Sequence, residues 1–182
     1  MKKILGILGK PGAGKDTFCD LFKKNHESVE IFKFSDPLSD VLKIFFDEVT
    51  REDQQWLVNN LRDRFGKDIL AKAIEKKILK SDSDFILLNG VRLFEDEEMV
   101  KRLGGDIVYI ETRPKLRWKR MKKRGEKADD DVSFEKFLKL DKGRSEKDIE
   151  EIGKRSKFKV DNNKSEKELE KQVKRLIQEL NE

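Results

Sequence analysis

One cysteine, Cys19, and one histidine, His26, are all that the 182 residues hold of either kind. A single thiol cannot close an intramolecular disulfide, which points to a reducing compartment. Such a scarcity also excludes the Cys/His set of a structural zinc site. Cys19 has apolar neighbours on an expected helix and reads as packing rather than as a nucleophile. His26 closes that helix, where a cation suits the helix dipole, and is assigned no chemistry. Long hydrophobic runs are missing as well. Nothing approaches a membrane span, and the apolar stretch 4–8 is too short for the core of a signal peptide. The expectation is a cytoplasmic protein with no membrane partner. Hydrophobic residues make up only 36% and charged residues 43%, so long helix faces must be solvated. With three prolines, no internal repeat and no linker, the length fits one domain over 1–182.

What is present alternates between short apolar runs and amphipathic stretches. Residues 4–8 form a continuous apolar run, as in a strand buried on both faces. A glycine-rich loop and a helix over 15–25 follow. Residues 29–34 read as a second strand. Ser35-Asp36-Pro37 signals a helix start, and Leu38, Val41, Leu42 and Phe45 follow at helical spacing. The stretch 51–79 is largely helical with a break at 65–67. Strands at 85–88 and 107–110 flank a helix at 95–103, which Gly104-Gly105 ends. A basic helix over 114–124, a polar loop over 125–132 and two charged helices within 133–152 come next. A short strand at 158–160 and an amphipathic helix at 165–180 close the chain, with Leu169, Val173, Leu176 and Ile177 on the apolar side. This alternation predicts an α/β architecture with a mainly parallel sheet of five strands.

The sharpest signal is Gly9-Lys10-Pro11-Gly12-Ala13-Gly14-Lys15-Asp16-Thr17. It satisfies G-x-x-x-x-G-K and lies between a buried strand and a helix, the setting that the pattern requires. Glycines let successive N–H groups turn inward, and the helix N-terminus adds partial positive charge at the same point. Lys15 brings a mobile cation to the outer phosphates of a triphosphate. Asp16 departs from the pattern, because a hydroxyl for Mg²⁺ is usual there. Either the Asp16 carboxylate faces the metal, directly or through water, or Thr17 takes the role.

The Gly-Lys-Asp-Thr ending resembles deoxynucleoside monophosphate kinases and related P-loop kinases. Phe32-Lys33-Phe34-Ser35-Asp36-Pro37-Leu38 is similar to the segment after strand two in that group. Asn89-Gly90-Val91-Arg92, followed by Glu95, Glu97, Glu98 and Gly104-Gly105, resembles its strand-three motif and the helix after it. Lys159-Val160-Asp161-Asn162-Asn163 looks like the ending shared with dephospho-coenzyme A kinases and archaeal relatives. The resemblance covers nearly the whole chain and implies a three-layer P-loop NTPase fold with helices on both faces of the sheet and a helical lid. It implies an acceptor-binding region over about 36–80 and a lid over about 113–145, with ATP and Mg²⁺ as cofactors. Residues 47–80 match least, and Asn89 stands where many such kinases carry an acid.

On the acceptor side Asp36 has two readings: a base or acceptor-orienting group, or the cap of the helix at Pro37. Arg92 either grips an acceptor phosphate or pairs with Glu95 or Asp96. Arg62 and Arg64 read as solvated, with the acceptor phosphate as alternative. Trp56 reads as packing, with base stacking as alternative. Arg113, Arg117, Arg120 and Arg124 recur at spacings of four, three and four, so they share one helix face. By resemblance Arg120 and Arg124 stabilise charge on the transferring group, with Arg117 behind them and Arg144 closing from the other side. The alternative is a solvated basic face paired with Asp129 to Asp131. Arg120 and Asn162 also count, by resemblance, among the nucleotide-binding residues.

Net charge is +5, and nine Lys or Arg fall between Thr112 and Lys127 against one Glu. This concentration motivates a reading of another class, a nucleic-acid-associated NTPase or nucleotide-gated binding module. Trp118 is the only aromatic interleaved there, which disfavours a stacking surface. The expected activity is transfer of a γ-phosphoryl group from Mg·ATP to a nucleoside or deoxynucleoside monophosphate. Dephospho-coenzyme A is the rival small-molecule acceptor.

Overall fold

A computed structural model describes residues 2–125, 132–141 and 144–182, except for the side chains at 51 and 144–147. The chain runs β1 (Lys3–Leu8), α1 (Lys15–Asn25), β2 (Val29–Lys33), α2 (Asp36–Leu42), α3 (Arg51–Phe65), α4 (Ile69–Lys80), β3 (Phe85–Val91), α5 (Phe94–Arg102) and β4 (Asp106–Glu111). It continues α6 (Pro114–Arg124), α7 (Phe134–Leu140), α8 (Arg144–Arg155), β5 (Phe158–Asp161) and α9 (Glu166–Asn181). The five strands form one parallel sheet in the order β2-β3-β1-β4-β5.

Period-two alternation sorts the strand side chains onto two buried faces. Leu5, Ile7, Phe85 and Leu87 point to one side, where Phe18 and Phe22 of α1 and Leu169, Val173 and Leu176 of α9 cover them. Ile4, Leu8, Ile86 and Leu88 point to the other, against Ile74 and Ile78 of α4, Val100 of α5, and Ile149 and Ile152 of α8. Truncating one of these buried side chains to Ala costs about 2–5 kcal/mol. A smaller cluster of Leu38, Val58 and Leu70 joins α2, α3 and α4 beyond the edge strand β2.

Two readings of the α2–α3 region are corrected. The helix begun at Pro37 ends at Leu42, so Phe45 lies outside it, and Ile44, Phe45 and Phe46 are exposed. Leu38 and Leu42 alone bury, because α2 is only seven residues long and packs through one edge. Trp56 is 64% exposed rather than packed. The helix α3 turns Leu57, Val58 and Leu61 to its neighbours, which leaves position 56 outside. Cys19 is buried, as expected.

Candidate functional site

Strand β1 delivers Gly9 to the carboxyl edge of the sheet, the edge where ligands bind in open α/β folds. Residues 9–14 then double back and α1 starts. Gly12 and Gly14 have φ of 76° and 91°, which only glycine adopts cheaply. A Cβ at Gly12 would meet the Arg117 carbonyl at 2.7 Å, and one at Gly14 would run into the Asn162 amide.

The loop carbonyls are fastened from behind. Ala13 O accepts from Thr112 Oγ1 at 3.0 Å and from Asn162 Nδ2 at 2.8 Å. Pro11 O accepts from Arg117 Nη1 at 3.3 Å. Within a trans peptide the C=O and the next N–H point in opposite directions. Tying Pro11 O and Ala13 O outward therefore turns the N–H groups of Gly12 and Gly14 toward the concave side. Lys15 lies over the same loop, its Nζ donating to Gly9 O at 2.8 Å. The result is the Gly12 and Gly14 N–H groups, one ammonium and a helix N-terminus at one point, with the Ala13 N–H closing the turn onto Lys10 O: a polyanion cradle.

Three expected site residues turn out to brace the loop rather than to face its concavity. Lys10 is buried and its ammonium pairs with Glu150 of α8 and Asp141. Burial disfavours its charge, yet these two carboxylates overcome that and hold its pKa above the usual value. Asn162 is 4% exposed and spends its side-chain N–H on Ala13. Arg117 is corrected as a lid residue. It is 2% exposed, its Nε donates to Thr112 O, and its two terminal nitrogens grip Asp141 at 2.7 and 2.6 Å. Asp141 caps the C-terminus of α7 and was not singled out from sequence. No local signal marks it, since its partners lie 24 and 131 residues away.

Arg120, one turn beyond Arg117, does border the cradle. Its Nη2 donates to Asn162 O at 3.0 Å, and Nη1 lies 3.7 Å from where a Cβ on Gly14 would stand. Nη1 is sealed from solvent without a hydrogen-bond partner among the described residues. Burial pushes the guanidinium pKa down from its usual value. A buried charged donor left unmatched is costly, so this geometry suits an anionic ligand. Arg124 is exposed at the end of α6, and Arg113 is the N-cap of that helix, its N–H donating to Asn163 Oδ1. Trp118 donates to Val132 O at 2.8 Å and packs on Phe134, joining α6 to α7. Residues 126–131, with the proposed acidic partners Asp129 to Asp131, and the Arg144 side chain lie outside the described residues.

The other half of the edge brings β2 and β3 beside the loop. Lys33 pairs in register with Asn89, and Ile7 does so from β1. Asp16, exposed in the first turn of α1, accepts from Asn89 Nδ2 at 3.0 Å and pairs with Lys33 Nζ at 3.1 Å through the same Oδ1. Partial burial acts to raise the Asp16 pKa, but Lys33 and Asn89 outweigh it and hold it below the usual range. Mg²⁺ binds through one or two carboxylates together with substrate phosphates and water. An accessible carboxylate at the cradle's mouth fits that donor set, with half-buried Thr17 beside it. Among the described residues no three His, Cys, Asp or Glu side chains gather as a metal cage.

Asp36 accepts the Lys33 backbone N–H at 2.7 Å, closing the turn between β2 and α2. It is not the helix cap: the N-cap is Ser35, with no side-chain capping bond. Arg92 follows β3 and is half-buried. Its backbone N–H and that of Leu93 donate to the buried Asp96 carboxylate, at 3.0 and 3.1 Å. Arg62 is not solvated as expected: it is half-buried and its Nε is sealed without a partner among the described residues. Arg64 stays exposed against the Phe65 ring.

Comparisons with known proteins bear on the family and the fold. A family described as an AAA domain matches residues 5–150. A UPF0200 protein of Sulfurisphaera tokodaii is 31% identical over 142 residues, 76% of this chain and 75% of its own. A UPF0200 protein of Methanocaldococcus jannaschii is 30% identical over 141 residues, 76% of this chain and 70% of its own. The shikimate kinase of Bacteroides thetaiotaomicron superposes over 99% of both chains with a TM-score of 0.70 at 12% identity. That of Acinetobacter baumannii, solved in complex with shikimate, has a TM-score of 0.63 at 14% identity, covering 99% of this chain and 93% of its own. At such identities the likeness concerns the fold alone, which is that of a P-loop kinase. Among the described residues no helix is long and apolar enough to cross a membrane. The cradle, the sheet order and the sequence relatives converge: this chain belongs to the AAA-domain family and to the UPF0200 proteins.

Proposed function

We propose that the protein is a phosphotransferase that moves the γ-phosphoryl group of Mg·ATP to a nucleoside or deoxynucleoside monophosphate. The observation that carries the reading is the Nη1 of Arg120, without a partner among the described residues, beside a loop whose carbonyls are tied away from the concavity. Both features have an unmet demand for negative charge at one point.

In this reading the Gly9–Thr17 loop amides and Lys15 hold the β- and γ-phosphates. Asp16, with Thr17, faces the Mg²⁺ ion, which neutralises phosphate charge when bound. Asp36 and Arg92 orient the acceptor at the ends of β2 and β3, within an acceptor region over about 36–80. Arg120 meets the charge that develops on the transferring oxygens, and Arg124 approaches from the end of α6. The lid over about 113–145 excludes water, which otherwise competes as acceptor. Positioning and electrostatics supply nearly all of the catalysis in such transfer. Lys10, Arg117 and Asn162 contribute by fixing the loop before the nucleotide arrives.

A small-molecule hydroxyl acceptor, such as dephospho-coenzyme A, is the second reading. Asp36, beside the end of β2, would be the base for it, since a hydroxyl needs a base and a phosphate does not. Nucleic acid is the weaker partner. Arg117 is withdrawn from the basic face, and Trp118 is committed to α7. Coupled ADP release across nucleoside monophosphates, dephospho-coenzyme A and RNA tests the reading. Turnover that depends on a monophosphate supports it. Turnover with dephospho-coenzyme A alone moves the assignment to the second reading, and no nucleotide binding at all sinks both.

A further inference from the structure

Lys33 has no part in the scheme above, yet it touches both halves of the site. It is the last residue of β2. Its ammonium lies 3.1 Å from Asp16 Oδ1, on the donor side, and its backbone N–H donates to Asp36, on the acceptor side. Asp16 Oδ1 also accepts from Asn89 Nδ2, so a neutral amide and a cation already coordinate this oxygen as a divalent ion would. Both partners of the ion pair are more than half exposed, which leaves it open to exchange with ions from solvent. Asp36 also acts on this ammonium, yet among the described residues no three acidic, His or Cys side chains gather as a cage. A divalent ion at Asp16 Oδ1 must therefore displace an ammonium, with no three-residue cage among the described residues to draw it in.

We propose that Lys33 is a placeholder for the metal: its ammonium occupies the cation position on Asp16 and gives way only when the nucleotide phosphates bring further oxygen ligands. The inference rests on the reading of Asp16 as the metal-facing residue. Divalent metal then enters together with the nucleotide and not ahead of it. The displaced ammonium remains next to Asp36, where it faces the acceptor. Without Lys33, Asp16 is an uncompensated anion at the mouth of the cradle. Such an anion attracts free metal and repels metal-free nucleotide.

The test compares the wild type with Lys33→Met, Lys33→Arg and the double variant Lys33→Met/Asp16→Asn. Free Mn²⁺ is measured by electron paramagnetic resonance without nucleotide. ATP affinity is measured by calorimetry in EDTA and in Mg²⁺. Lys33→Met should bind Mn²⁺ about threefold to fivefold more tightly than the wild type, the size expected on releasing a carboxylate from an exposed ion pair. It should also lose ATP affinity in EDTA while keeping it in Mg²⁺. Lys33→Arg should behave as the wild type, and the double variant should lose the gain in Mn²⁺ binding. Equal Mn²⁺ affinity in Lys33→Met and the wild type, with the same ratio of ATP affinities, would overturn the proposal. The Mn²⁺ arm contains no nucleotide, so it reads Lys33 even if the kinase reading fails. Thermal melting of each variant distinguishes a lost ion pair from a lost fold.

Discussion

Asp141→Ala should destabilise the protein by about 3 kcal/mol and loosen the phosphate loop at the same time. Asp141 and Arg117 have side chains only 10% and 3% exposed, and two parallel hydrogen bonds join them. Removing the acid leaves a guanidinium in low dielectric without its anion, which for a buried pair costs about 3–5 kcal/mol. The lower end applies because Arg117 keeps Thr112 O and Pro11 O, and Lys10 keeps Glu150. In a chain of this length about 3 kcal/mol corresponds to a fall in melting temperature of about 6–12 °C. Arg117→Met/Asp141→Leu, which replaces the pair with apolar groups of similar volume, should return to within about 1 kcal/mol of the wild type. That double variant has no donor to Pro11 O, so its ATP affinity should stay down by about tenfold, the worth of a charged hydrogen bond. Urea denaturation and calorimetric titration with Mg·ATP provide the two measurements. A loss below about 1 kcal/mol in Asp141→Ala would show the pair to be screened by solvent. Wild-type ATP affinity in the double variant would show that Arg117 does not preorganise the loop.

Three further outcomes follow from single groups. Lys15→Ala should leave the melting temperature within a few degrees of the wild type but lower the transfer rate by at least about a hundredfold, as measured by ADP release; retained activity would refute its role. Arg120→Ala removes an Nη1 that has no partner among the described residues together with the Nη2 bond to Asn162 O, so stability should change by no more than about 1 kcal/mol while Mg·ATP affinity falls by about tenfold or more, and unchanged affinity would separate Nη1 from the nucleotide. Burial raises the Asp96 pKa in spite of its two backbone donors. A carboxyl raised in the folded state favours folding when protonated, so its ionised form subtracts stability as pH climbs above the usual carboxylate range. Asp96→Asn can still accept from the Arg92 and Leu93 amides. Its stability relative to the wild type, followed by urea denaturation, should therefore grow from pH 4 to pH 8, and a constant difference would contradict the argument.

The strand, loop and helix over 3–25 were legible because every determinant is local. A continuous apolar run, glycines at the positive-φ positions and a helix start lie within a few residues of one another. The alternation of apolar runs with amphipathic stretches likewise carried the parallel five-stranded sheet, and Leu169, Val173, Leu176 and Ile177 were read onto the buried side of the last helix. Spacing failed where a residue's role depends on what stands opposite. The four arginines of the basic helix do share a periodicity, yet Arg117 is buried, Arg120 borders the cradle and Arg124 is exposed. Periodicity reports a face and not its neighbour.

What the sequence by itself determined is the cradle and the parallel sheet that presents it, since backbone conformation and hydrophobic period are properties of short segments. Only the tertiary structure decided how the charges are shared out. Lys10 meets Glu150 across 140 residues, Arg117 meets Asp141 across 24, and Asp16 meets Asn89 across 73. An ion pair forms between whichever side chains the packed elements bring within reach. No local pattern in a chain so rich in Lys, Arg, Asp and Glu singles out the partner.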